Sequence, residues 1–94
     1  MSFDTSLLLQ GLKEYQKTLK MHGHVVAQEY AQLDNQWHAF EQVYEGDSAR
    51  EFKSYWSRTQ QRFEEYIEAV RKIGIILNGR IDELERVNRE GDLR

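Results

Sequence analysis

Apolar residues recur every three or four positions, apart from a gap at His22 and Gly23, along two long stretches of this chain, one on each side of a short polar segment. The first stretch contains Leu12, Tyr15, Leu19, Val26, Tyr30, Leu33, Trp37, Phe40 and Tyr44. The second contains Ala49, Phe52, Trp56, Phe63, Tyr66, Ile67, Val70, Ile73, Leu77, Ile81, Leu84 and Val87. Residues three and four apart share one face of an α-helix, so this pattern predicts two long amphipathic helices.

The segment Tyr44-Glu45-Gly46-Asp47-Ser48 carries the one concentrated turn signal. Glycine adopts left-handed backbone angles without steric cost, so we expect Gly46 just past the end of the first helix. Ser48 and Glu51 have the spacing of a capping box, which favours the start of a second helix. Side chains that can cap the first helix are Asp4, Thr5 and Ser6.

A short connection makes successive helices antiparallel neighbours. The chain has no proline, the residue that most strongly breaks a helix interior. We therefore predict an all-α fold, an antiparallel two-helix hairpin that forms one domain over residues 1–94. The predicted elements are a helix over about 5–43, a turn at 44–47 and a helix over about 48–90.

The apolar surface exceeds what one seam between two helices can bury. Tyr55, Ile75 and Ile76 lie beside the main stripe of the second helix, and residues 7–9 widen the stripe of the first. Large exposed apolar patches mark binding sites, and oligomerisation is a usual way to stabilise a small scaffold. We therefore predict that two hairpins dimerise into a four-helix bundle.

Four glycines interrupt the predicted helices, and each costs roughly 1 kcal/mol relative to alanine. One interpretation is local tolerance. The alternative is that Gly74 and Gly79 admit another helix at close range, while His22-Gly23-His24 marks a bend.

No arrangement of residues indicates catalysis. The chain lacks cysteine, and no histidine stands in a Glu-x-x-His motif of the di-iron bundle type. Asp34 and His38 have the spacing of a surface ion pair. We predict a non-enzymatic protein with no catalytic or cofactor-binding residues, no metal site and no cofactor.

The charge pattern indicates neither nucleic-acid binding nor membrane insertion. Formal net charge is −3, and Lys13, Lys17 and Lys20 form a short basic stripe without interleaved aromatic residues. No apolar run approaches the roughly 20 residues that span a bilayer. No basic and apolar leader of the conventional kind opens the sequence, so we expect no cleavable signal peptide.

The turn and the residues after it resemble a known family. Gly46 is followed by Ala49, Phe52 and Trp56, as in the hundred-residue WXG family (early secreted antigenic target-like), the helical-hairpin substrates of type VII secretion. Tyr44 replaces the tryptophan of the Trp-x-Gly turn and keeps an aromatic ring there. The resemblance implies a homodimer or a heterodimer with a similar hairpin, and a secretion ATPase as a further partner.

The resemblance also implies a location, either secreted without a cleavable signal peptide or cytoplasmic before export. Many exported members carry a Tyr-x-x-x-Asp/Glu signal after the second helix, where this chain has Leu84 and Asn88. A heterodimer partner then carries the signal, or the protein is a relative that is not exported in this way. It then acts in secretion, or as chaperone to a secreted protein. The alternative is an intracellular helical adaptor or coiled-coil module unrelated to secretion.

The candidate site residues follow from the turn and the apolar stripes. The turn motif is Tyr44, Glu45 and Gly46. The packing and candidate partner-binding residues are Leu33, Trp37, Phe40, Ala49, Phe52, Trp56, Phe63, Ile67, Val70, Leu77 and Ile81. We expect the docking surface at the turn end, around Trp37, Tyr44, Gly46 and Trp56.

Overall fold

The computed structural model describes residues 4–92, and residues 1–3, 93 and 94 lie outside this part. It contains two α-helices, α1 over Thr5–Phe40 and α2 over Asp47–Asp92, with no strand in the described range. The helices run side by side in opposite directions. The predicted all-α helical hairpin is therefore confirmed.

α1 begins at a capped end. Asp4 has an extended backbone, and its carboxylate accepts a hydrogen bond from the Leu7 amide at 3.1 Å. This bond satisfies one of the amides that the first turn leaves without a helical partner. Of the three predicted candidates, Asp4 is thus the residue that caps α1.

The connection between the helices differs from the prediction in the position of Gly46 relative to the helix ends. α1 ends at Phe40, and the amides of Val43 and Tyr44 both donate to the Phe40 carbonyl at 3.1 Å in the turn that follows. Gly46 does have a positive φ of 102°. It precedes α2 instead of ending α1, and its carbonyl accepts from the Arg50 amide at 3.1 Å.

The predicted capping box at Ser48 and Glu51 does not form among the hydrogen bonds of the described residues. α2 starts one residue earlier than expected, at Asp47, so Ser48 already lies inside its first turn. Asp47 instead pairs with Arg50 three residues later. An acidic residue at this position also suits the positive end of the helix dipole.

The molecule is a rod of 72 × 19 × 17 Å with a radius of gyration of 21.0 Å. A compact domain of this length would have a radius of gyration of about 12 Å. Only four apolar side chains in the described range are buried: Leu9, Trp37, Ala49 and Ile81. The interior is a seam between two helices and not a closed core.

The seam follows a seven-residue repeat, the spacing of a coiled coil. On α1 the least exposed positions include Leu9, Leu12, Gln16, Leu19, Gly23, Val26, Tyr30, Asp34 and Trp37. On α2 they are Ala49, Trp56, Gln60, Phe63, Ile67, Val70, Gly74, Leu77, Ile81, Leu84 and Asn88. Most of the predicted stripe therefore faces the other helix.

Gly23 gives the two helices a close contact. A Cβ built on Gly23 would lie 2.7 Å from Cγ1 of Val70, so a side chain there would collide with α2. α1 continues through His22-Gly23-His24 without a break. A Cβ on Gly74 or Gly79 would meet nothing within 4 Å.

Candidate functional site

Polar bridges between the helices all lie on one side of the seam. Four hydrogen bonds cross it, and each joins residues equidistant from Asp47 in the chain: Ser6–Asn88 at 3.4 Å, Gln16–Asn78 at 3.4 Å, Tyr30–Glu64 at 3.0 Å and Asp34–Gln60 at 2.6 Å. The ion pair Lys13–Glu85 at 2.8 Å is the fifth bridge. Glu64, Asn78 and Glu85 are separated by multiples of seven residues, so they share one edge of α2. We call this edge of the hairpin the polar side.

The opposite edge is apolar. Residues two positions apart point about 200° away from each other on a helix, so Tyr66 and Val87 face away from Glu64 and Glu85. Tyr66 meets His22 of α1 on this edge, with ring centroids 5.8 Å apart. Twelve of the fifteen well-exposed large apolar side chains of the described range fall on or beyond it, and we call them the apolar side. They are Leu8, Tyr15, Val25, Leu33, Phe40, Val43, Phe52, Tyr55, Tyr66, Ile73, Ile76 and Val87.

The apolar side carries few charges, of both signs. Its charged residues are Glu29, Arg62, Arg80, Glu83 and Glu90, three acidic and two basic. Arg80 and Glu83 also pair with each other at 3.1 Å. A surface with this composition repels neither another apolar surface nor a second copy of itself.

At the turn end an aromatic cluster surrounds Trp37. The Trp37 ring lies 4.8 Å from Phe52, 5.0 Å from Phe40 and 6.4 Å from Tyr44, measured between centroids. Trp37 is only 6% exposed, whereas Phe40 and Phe52 are each 41% exposed. Trp37 is therefore the packed centre of this cluster, and the outer faces of Phe40 and Phe52 are what a partner could touch.

A second aromatic group lies next to it in the seam. The ring of Tyr30 stacks on Phe63 at 5.3 Å and is 6.4 Å from Trp56. Partial burial, and then the hydrogen bond to the Glu64 carboxylate, raise the pKa of the Tyr30 hydroxyl. The indole Nε1 of Trp56 is buried and has no hydrogen-bond partner within residues 4–92. Trp56 is thus held inside the seam.

The remaining predicted site residues divide between the seam and the surface. Phe63, Ile67, Val70 and Leu77 are half-buried between the helices, and Ala49 and Ile81 are buried there. Leu33 is exposed on the apolar side. In the turn, Tyr44 is half-buried, while Glu45 and Gly46 are exposed.

Sequence reasoning did not list several exposed residues of the apolar side as site residues. Val43 is 81% exposed, and Tyr66, Ile73 and Val87 also face solvent. Tyr66, Ile73 and Val87 could have been found from the sequence, because they belong to a second seven-residue series on α2. The series runs Phe52, Thr59, Tyr66, Ile73, Arg80 and Val87.

His38 forms a small charged group near the turn. Its Nδ1 lies 2.6 Å from Oε1 of Glu41 and its Nε2 3.3 Å from Oδ2 of Asp34. The hydrogen bond to Glu41, followed by the charge of Asp34, raises the pKa of the imidazole. The His38 side chain is exposed, whereas Asp34 and Glu41 are half-buried.

No cluster of three or more metal-ligating side chains occurs in the part of the chain that the structure describes. Neither helix has, within that part, a stretch apolar enough to cross a membrane. Comparisons with protein-family models, curated proteins and solved structures return no match for this chain.

Proposed function

We propose that this protein is a non-enzymatic interaction protein that packs its apolar side against another helical protein. One observation carries the proposal. The chain exposes 7803 Å², whereas a compact monomer of its size exposes about 5,700 Å². A rod of two helices cannot bury this extra surface by itself. Binding a partner would bury it.

A hairpin of the same kind is the partner that fits best, and it completes a four-helix bundle. The exposed parts of the apolar side amount to on the order of 1,000 Å² per protomer, comparable with what a standard protein interface buries on each partner. Its seven-residue series on α2 has the spacing that helices use to interdigitate. The bridges of the polar side remain in contact with solvent in such a bundle.

Secretion is the specific role that we propose for this dimer. Support comes from the turn, where Gly46 is followed by Ala49, Phe52 and Trp56, as in the WXG-type hairpins of type VII secretion. Tyr44 stands in the place of the motif tryptophan and lies against Phe52, with ring centroids 6.4 Å apart. The protein then acts as an exported dimer or as chaperone to a secreted partner.

Sedimentation equilibrium at micromolar concentration tests the interaction. We expect a dimer, and we expect Ile76→Ser to shift it towards monomer, because Ile76 lies on the apolar side with 65% of its surface exposed. Met21→Ser is the matched control, since Met21 is 61% exposed but lies off this side. A well-folded monomer that captures no helical partner from its native organism contradicts the proposal.

Export is tested separately, by assaying the culture medium and the cell pellet of the native organism for the protein and its bound partner. Recovery from the medium without cell lysis, together with another hairpin protein, supports the secretion role. Retention in cells on a cytosolic partner contradicts it and favours an intracellular adaptor.

A further inference from the structure

The middle of the seam contains a groove that side chains leave open. Gly23 of α1 and Gly74 of α2 occupy seam positions at nearly the same level, and the space between the helices there measures about 570 Å³. A Cβ on Gly74 would meet nothing within 4 Å, so a larger residue would fit there without a collision. Lack of space therefore does not explain the glycine at this position. Seam positions above and below are filled by Leu19, Val70 and Leu77.

An unfilled gap at a packing position costs stability. Proteins that break a packing rule commonly do so at a functional site. The groove opens on the polar side, so it remains accessible when a partner covers the apolar side. The inference therefore does not depend on the proposed function.

The groove has an apolar floor and a basic rim. Leu19, Ile67 and Val70 form the floor. Lys20 and Arg71 flank the opening on the two helices, and Lys20 makes no ion pair within the described residues. Arg71 is held from outside by Glu68, through hydrogen bonds of 2.6 and 2.9 Å.

One exposed apolar residue also belongs to this groove. Ile75 is 59% exposed and lies away from the apolar side, but it lines the groove wall. It extends the apolar floor towards the solvent beside the basic rim. The site thus combines a hydrocarbon-like surface with an unpaired ammonium group.

Two hydrogen bonds between the helices bound the groove along the rod. The Gln16–Asn78 hydrogen bond crosses the polar side at one end of the groove, and the Tyr30–Glu64 hydrogen bond crosses it at the other. The span between them is roughly 20 Å, since an α-helix rises about 1.5 Å per residue. A linear hydrocarbon chain can lie along this length on the apolar floor.

We propose that this groove binds a single-chain anionic amphiphile. Its hydrocarbon chain lies along Leu19, Ile67 and Val70, and its carboxylate or comparable head group pairs with Lys20. Charge complementarity selects the anion over a neutral or cationic chain of the same length.

Titration of the purified full chain with decanoate, below its micelle concentration, tests the proposal by amide NMR. We expect the largest shifts at Gly23 and Gly74. Gly74→Leu fills the groove and Lys20→Gln removes the charge, so each should weaken binding by about tenfold or more. Gly79→Leu and Lys17→Gln are the matched controls, because neither residue lines the groove, and both should leave binding unchanged.

Decyltrimethylammonium and decanol, which share the chain length, test the charge selection and should bind more weakly than decanoate. Equal binding of the cationic amphiphile overturns the proposal. The proposal is also overturned if Ile76→Ser abolishes decanoate binding and Gly74→Leu does not. That result would place the hydrocarbon chain on the apolar side and not in the groove. Absence of decanoate binding overturns it as well. If Gly74→Leu does not fold, as judged by circular dichroism, Lys20→Gln and Lys17→Gln test the proposal instead. Equal decanoate binding by these two variants then overturns it.

Discussion

The turn end and the middle of the rod are built by the same two helices in one register, yet their seams differ. At the turn end, Trp37 has three aromatic neighbours, and Ala49 near the start of α2 is 2% exposed. In the middle, Gly23 and Gly74 leave a groove. Side-chain volume at a few seam positions, and not the helices themselves, therefore decides where the hairpin is tightly packed.

The energetic consequence of this difference is large. A buried aromatic side chain removes about 150–250 Å² from water and gains further from ring–ring contacts. A glycine in a helix interior loses roughly 1 kcal/mol relative to alanine and contributes no side-chain packing. We expect the turn end to contribute most to the free energy of unfolding, and each variant below alters one of the two regions.

Truncation of Trp56 should have the largest effect. Trp56 lies against Tyr30 in the seam near the turn, so Trp56→Ala should reduce the free energy of unfolding by about 3–5 kcal/mol, towards the lower value because the ring is only half-buried. Urea unfolding at one fixed protein concentration measures it.

Trp56→Phe provides the matched comparison. It keeps an aromatic ring and removes the indole N–H, which is buried without a partner and carries a desolvation cost of about 1–3 kcal/mol. We expect a loss well below that of Trp56→Ala. A small loss for both variants would mean that the ring contributes little and that the turn end is not the tighter region.

In the middle of the rod, Gly23→Ala should destabilise the hairpin. The new methyl would lie 2.7 Å from Cγ1 of Val70, and valine has little rotamer freedom with which to move away. Overpacking of this kind costs about 1–3 kcal/mol, against a helix-propensity gain of roughly 1 kcal/mol. The double variant Gly23→Ala/Val70→Ala removes the collision. A thermal midpoint for Gly23→Ala above that of the wild type would show that the helices separate easily there.

Gly74→Ala should stabilise the hairpin, in contrast to Gly23→Ala. Its Cβ meets nothing within 4 Å, so the helix-propensity gain of up to about 1 kcal/mol is not offset by a collision. Gly79→Ala controls for propensity alone, since its Cβ also meets nothing. If Gly74→Ala destabilises the protein while Gly79→Ala does not, the groove holds something that the methyl group displaces.

The sequence predicted the hairpin because its strongest signals are local. Three-and-four spacing from Leu12 to Tyr44 and from Ala49 onwards, with no proline, leaves little choice but two helices. The Asp4 cap was one of three candidates, and only the backbone shows which one accepts the Leu7 amide. Gly46 has the positive φ that the sequence predicts, but its predicted place just past the end of the first helix was wrong, because α1 already ends at Phe40 and Gly46 precedes α2.

Properties that depend on both helices together could not be read from either stretch alone. The division into a polar and an apolar side follows from pairs such as Lys13 with Glu85 and His22 with Tyr66. The groove depends on Gly23 and Gly74 reaching one level. The position of the turn alone brings Gly74 near the level of Leu19, but which face opens requires the register that the cross-helix bonds set.

The smallest expected effect belongs to the charges at the turn end. Glu41 and then Asp34 raise the pKa of His38 above the ordinary histidine value of 6.5, so the folded state favours the imidazolium. The contribution of His38 to stability is therefore fully present below pH 6.5 and is lost as pH rises through the higher folded pKa.

NMR titration of the His38 ring should show this raised pKa, and Glu41→Gln should bring it back towards 6.5. His38→Gln should flatten the pH dependence of the unfolding midpoint over that window. A His38 pKa unaffected by Glu41→Gln would contradict the assignment. Because the His38 ring is exposed to solvent, the effect should stay far below that of Trp56, which leaves ring packing as the source of the turn end's tightness.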